Sequence, residues 1–121
     1  MSQLLSRAHS TFGAAKVLHN EGYYGDAVSR AYYATFYAAK AAILHAGKDA
    51  HTHKGVHMLF NSLYVKEGLV SAAVGKLLSR LFERRREADY DDGASITEEQ
   101  SQEALDLASQ FVEHVQKLLD G

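Results

Sequence analysis

Apolar residues recur along this chain at intervals of three and four, and nowhere do they alternate with polar ones for long. That period is helical, so the pattern predicts helices, and strands fit it poorly. Glycines mark the breaks. Gly22 and Gly25 flank Tyr23-Tyr24, and Gly47, Gly68 and Gly93 fall between periodic segments. The pattern yields five helices, over roughly residues 2–20, 26–46, 53–64, 71–89 and 98–119. The last start is the best marked. Thr97-Glu98-Glu99-Gln100 has the spacing of a capping box, with Thr97 as N-cap and Gln100 reaching back. Thr52 and Ser71 are further N-cap candidates.

The fifth helix is amphipathic, with Ala104, Leu107, Ala108, Phe111, Val115, Leu118 and Leu119 on one broad face. The second is apolar nearly all round. Val28, Tyr32, Thr35, Phe36, Ala39 and Ile43 share one side. Ala27, Ala31, Ala34, Ala38 and His45 form a second stripe, and Tyr33, Tyr37 and Leu44 a third, beside Asp26, Arg30 and Lys40. A helix of this kind is buried on most sides and belongs at the centre of the fold. The alanine stripe allows a close backbone approach, within the chain or as a dimer seam. The expected architecture is an all-α up-and-down bundle of four to five helices, a single domain over residues 1–121. A bundle this small has limited interior, so its over-apolar second helix also points to a homodimer.

Composition narrows the chemistry. The 121 residues include no cysteine, proline or tryptophan, and 46% are hydrophobic. That content supports a core, and the lack of cysteine removes disulfides, thiolate nucleophiles and thiolate metal sites. Average usage of about 5% would give roughly six prolines, and their absence suits a mostly helical chain. Thirteen basic against 15 acidic residues leave a net charge of -2, which argues against broad DNA coating. No apolar run approaches the roughly 20 residues that span a bilayer, and the expected location is cytoplasmic.

Three constellations could carry chemistry. Arg80, Arg84, Arg85 and Arg86 precede Asp89, Tyr90, Asp91 and Asp92. Helical geometry puts Arg84 and Arg85 beside Leu77, Leu81 and Ala88, on the apolar side, where a charge needs a partner. That partner is a phosphate in a cleft or a carboxylate such as Asp89. Arg30 shares a side with Tyr33 and Tyr37, a grouping that fits a nucleotide or a core whose hydroxyls are satisfied. His53 and His57 are four apart in Thr52-His53-Lys54-Gly55-Val56-His57, so both imidazoles could reach one metal. The residue after His53 is Lys54, unlike the metalloprotease pattern, and no third ligand is evident. No nucleophile elbow, P-loop or dinucleotide fingerprint is present, and no cofactor is expected.

Three blocks in order resemble the HEPN domain family, in its small stand-alone prokaryotic branch. They are the stretch from Tyr23-Tyr24-Gly25-Asp26 through Ala38-Ala39-Lys40-Ala41, Thr52-His53-Lys54-Gly55-Val56, and Arg85-Arg86-Glu87-Ala88-Asp89-Tyr90-Asp91. The resemblance implies a homodimeric helical bundle with a cleft at its interface. It also implies nucleotide or RNA-phosphate binding, metal-independent ribonuclease activity in many members, and toxin pairing with a minimal nucleotidyltransferase antitoxin. Catalytic members carry an Arg followed, after four to six residues, by a His; here Arg85 is followed after four residues by Tyr90. A tyrosine, with a pKa near ~10, is a poor base at neutral pH. His53 supplies the missing imidazole only if the fold brings it beside Arg85. The candidate catalytic set is therefore Arg85, Tyr90 and His53, with Arg30, Tyr33, Tyr37, Arg84 and Asp89 as phosphate or nucleotide contacts. The favoured reading is a nucleotide- or RNA-phosphate-binding module that acts with a minimal nucleotidyltransferase partner; a metal-independent ribonuclease using Arg85 with Tyr90 or His53, and a purely structural dimeric bundle, are the alternatives.

Overall fold

The computed structural model describes residues 2–90 and 95–121, apart from the side chains of residues 2 and 90. Among the described residues five α-helices run in order: α1 (Ser2–Asn20), α2 (Tyr24–His45), α3 (His53–Phe60), α4 (Ala72–Tyr90) and α5 (Glu98–Asp120). This is the all-α bundle the periodicity predicts. α2 begins two residues earlier than expected, at Tyr24. The third expected helix splits, because Asn61–Val65 continues α3 as a π-helical turn. No helix among the described residues is long and apolar enough to cross a membrane.

α2 is the axle. It packs against α1, α5, α4 and α3, and α1 is its most extensive neighbour. Its alanine stripe (Ala27, Ala31, Ala34, Ala38) is completely buried inside the chain, as are Ala8 and Ala15 of α1. Of the two uses foreseen for that stripe, the intrachain contact is therefore the one made. Large side chains fill the remaining sides: Tyr32, Ile43, Phe60, Leu81 and Phe111 are all fully buried. The buried polar side chains of Thr35 and Ser101 are bonded, as burial requires. Thr35 donates to the carbonyl of Tyr32 at 2.6 Å, and Ser101 of α5 meets His19 Nδ1 of α1 at 2.8 Å.

Local signals set the ends. Thr97 accepts from Gln100 N at 3.1 Å while the Gln100 side chain accepts from Thr97 N at 3.0 Å, completing the capping box of α5. Thr52 caps α3 by accepting from Gly55 N at 2.9 Å. That cap fixes where His53 leaves the loop. The π turn is anchored to the last turn of α2 by the Tyr64 hydroxyl, which donates to the Ala42 carbonyl. Gly75 of α4 lies against it, and a Cβ there would meet Asn61 Oδ1 at 2.8 Å and Val65 Cγ2 at 2.9 Å. The missing side chain thus lets α4 close onto the turn that carries α3.

Candidate functional site

α2, α3 and α4 converge on Tyr32. Its ring is fully buried and packs 5.6 Å from both His53 and Phe82, centroid to centroid. Its hydroxyl meets two imidazoles, His53 Nδ1 at 2.6 Å and His57 Nε2 at 3.2 Å. The one-turn spacing of the two histidines on α3 makes this possible, since both rings then face the same point. Burial pushes the Tyr32 phenol well above its ordinary range, so it stays protonated. His53 is held below the usual imidazole value, first by burial and then by the positive charge of Arg85. His57 is lowered as well, by burial and then by His53. Both imidazoles are therefore neutral at pH 7. Phe36 and Phe82 pack against the imidazoles, Phe36 lying 4.6 Å from His53 and Phe82 5.1 Å from His57.

Arg85 closes the group from α4. Its guanidinium lies 5.1 Å from the centre of the Tyr33 ring and 5.7 Å from that of Tyr32. Its side chain is 24% exposed, and its Nε stands 3.1 Å from Asp89 Oδ2. This contact is ionic without the alignment of a hydrogen bond, so the buried Nε–H lacks a directed acceptor among the described residues. Asp89 also accepts from Ser29 Oγ of α2 at 3.3 Å. Arg85 is thus neither bare nor sealed. It has a carboxylate beside it and remains partly open to an anion.

The structure brings Arg85, His53, Tyr33 and Asp89 together and adds Arg30, whose guanidinium lies 5.0 Å from the Tyr33 ring centre. The Tyr37 ring lies tilted against Tyr33, with centroids 6.1 Å apart. Arg84 goes elsewhere. It turns toward α5, pairing with Glu87 at 3.0 Å and Glu103 at 3.3 Å, and Arg80 shares Glu103. Successive helical residues diverge by about 100°, so the two arginines straddle the apolar side instead of sharing it. The role expected of the Tyr90 side chain lies outside the described residues. For a metal, His53 and His57 already turn their facing nitrogens to one hydroxyl. Among the described residues, no group of three or more His, Cys, Asp or Glu is arranged to hold an ion.

Two participants had no functional reading in the sequence. Tyr32 reads as core, which it is, but its hydroxyl is the junction of the site. Arg7 of α1 lies 4.5 Å from the Tyr37 ring centre, extending the cation–aromatic surface onto a third helix. No local motif announces a contact across thirty residues. A separate cavity of about 580 Å³ is lined by Leu5, His9, His45, Gln116 and Leu119 and shares no residue with this site. Part of its polar rim is paired internally, with His9 bonded to Gln116 at 2.9 Å and Gln116 to Asp120 at 3.0 Å.

A family model for the HEPN domain matches residues 1–118. A Methanocaldococcus jannaschii protein named "Putative toxin" is 34% identical over 116 residues, covering 96% of this chain and 86% of that protein. A Thermotoga maritima protein named "UPF0332 protein" is 34% identical over 114 residues, covering 94% and 86%. Another UPF0332 protein, from Archaeoglobus fulgidus, is 34% identical over 109 residues, covering 90% and 86%.

Proposed function

The chain belongs to the HEPN domain family, and on that footing we propose that it is a toxin-type protein that binds RNA phosphate at Arg85 and cleaves the strand with His53 as proton carrier. One observation carries this reading. His53, distant in sequence, stands against the tyrosine pair over which Arg85 lies, and it supplies the imidazole that the segment after Arg85 lacks. Arg85 is suited to the phosphate because its side chain stays partly exposed beside Asp89 and its planar fork matches two phosphate oxygens. A neutral imidazole suits proton removal at pH 7.

The step is a transesterification. The 2′-hydroxyl proton passes to His53, the 2′-oxygen bonds to phosphorus, and the bond from phosphorus to the 5′-oxygen breaks. The departing oxygen takes a proton from solvent water, leaving a 2′,3′-cyclic phosphate and a 5′-hydroxyl, and His53 then returns its proton to solvent. Arg85 offsets the charge that builds on the non-bridging oxygens. Tyr33 and Tyr37, flanked by Arg30, Arg85 and Arg7, offer stacking faces to unpaired bases, which favours a single strand. The relative named as a toxin supports the same setting. There the protein acts in the cytoplasm, as a homodimer, and a minimal nucleotidyltransferase antitoxin restrains it.

Single-stranded RNA incubated with the protein in the presence of a chelator tests this. Wild type yields cyclic-phosphate ends, while Arg85→Ala and His53→Gln lose about 10²-fold or more in rate. RNA that survives equally with all three proteins refutes cleavage. A second reading is a phosphate- or nucleotide-binding module without turnover, favoured by Asp89 standing as counter-charge to Arg85. It predicts RNA or nucleotide affinity that Arg85→Ala abolishes, with no product in any sample.

A further inference from the structure

We propose that His57 is a positioning residue that enables proton uptake at His53, acting through the hydroxyl of Tyr32. This rests on His53 as the proton carrier of the reaction above. A count of protons leads to it. The Tyr32 hydroxyl holds one proton and lies within reach of two ring nitrogens, at 2.6 and 3.2 Å. It can donate to one of them while accepting from the other. With both imidazoles neutral, two arrangements satisfy the trio: the phenol proton points to His53 and His57 donates, or the reverse.

Once His53 has taken a proton at its other nitrogen, only one arrangement survives. Its Nδ1–H donates to the phenol oxygen, and the phenol proton must turn to His57 Nε2. Tyr32 is fully buried, so a phenol proton with no acceptor there would be a desolvated, unpaired donor. His57 is the acceptor that prevents this. Burial and the neighbouring His53 keep it neutral and able to accept.

The other polar groups facing His53 cannot substitute. Arg85, on α4, has only donors, and its Asp89 lies against Ser29 and the guanidinium. Tyr33, on α2, meets His53 edge to face through its ring, at 5.9 Å. Phe36 and Phe82 contribute only apolar walls.

NMR of the ring nitrogens in the full-length protein provides the test, following His53 through a pH titration in wild type, His57→Leu and His57→Gln. The expected result is that His57→Leu lowers the His53 midpoint by about one pH unit, a tenfold loss of proton affinity. His57→Gln, whose amide oxygen can accept, restores most of it. A His53 midpoint equal in wild type and His57→Leu overturns the inference, as does a Gln variant as impaired as the Leu variant. Should His57→Leu not fold, the wild-type titration decides. His53 protonating while His57 stays neutral supports the relay, and His57 protonating first overturns it. These signals need no RNA, so their failure is separate from a failure of cleavage, which Arg85→Ala and His53→Gln report.

Discussion

Arg85 and Asp89 face one another one helical turn apart, Nε to Oδ2 at 3.1 Å, with the guanidinium plane over Tyr33. The carboxylate, half exposed, steadies the arginine and also competes with any incoming anion. Asp89→Asn removes the competitor and keeps the shape. RNA affinity should then rise by about threefold to tenfold at low salt, as expected for one unit charge removed at this distance from a partly exposed site. Fluorescence anisotropy with a short labelled RNA measures it. Weaker binding by the variant would show that Asp89 serves mainly to orient Arg85.

The two histidines fix the sign of the pH response. Both are depressed from the ordinary imidazole value near ~6.5. Cleavage that needs neutral His53 is thus fully developed at pH 7 and declines only as pH falls below about 6.5, through the lowered value. Stability follows the same direction. On acidification the unfolded chain binds these protons first, so the stabilisation present above pH 6.5 is lost as pH falls toward the folded values. Thermal melts from pH 7.5 to 5.5 should show a falling Tm, with a shallower fall in the His53→Gln, His57→Gln double variant. Equal slopes in the two proteins would rule this out.

Tyr64→Phe tests the anchor between the π turn and α2. The substitution deletes a hydroxyl whose partner, the Ala42 carbonyl, still accepts from Ala46 N at 3.2 Å. With the acceptor still engaged, the cost should be modest, about 1 kcal/mol, read from urea denaturation at pH 7. A loss as large as a core truncation, about 3 kcal/mol or more, would mean that the turn itself had come away.

Arg7 gives a test remote from the reacting atoms. Arg7→Ala should weaken binding of single-stranded RNA about threefold to tenfold, leaving the rate at saturating RNA unchanged, because only a stacking contact is lost. A variant with normal affinity but slowed cleavage would contradict that assignment.

Much of this was legible in the sequence, for identifiable reasons. The capping box at Thr97, the glycine breaks and the all-round apolar second helix are local signals, and each element they mark is present. Arg85 and His53 were singled out as chemistry, and the fold joins them through Tyr32. What escaped depends on long-range packing. The sequence groups Arg84 with Arg85 on the apolar side, but the position of Glu103 on α5 draws Arg84 the other way. The partnership of His57 with Tyr32 and the stacking of Arg7 on Tyr37 link residues on different helices, and nothing in the nearby sequence encodes them. The π turn at Asn61–Val65 left no trace either, since its apolar spacing imitates a continued helix.

The alanine-lined flank of α2 has a consequence for how the site can evolve. Alanine has no side-chain torsion to adjust, so where α2 meets its neighbours through alanine there is no play to absorb a bulkier replacement. Tyr32, Tyr33 and Tyr37 ride on that same rod, and their aim is set by main-chain geometry. Changes of specificity are then more easily made at the cations that approach the rod from α1 and α4 than on the rod itself.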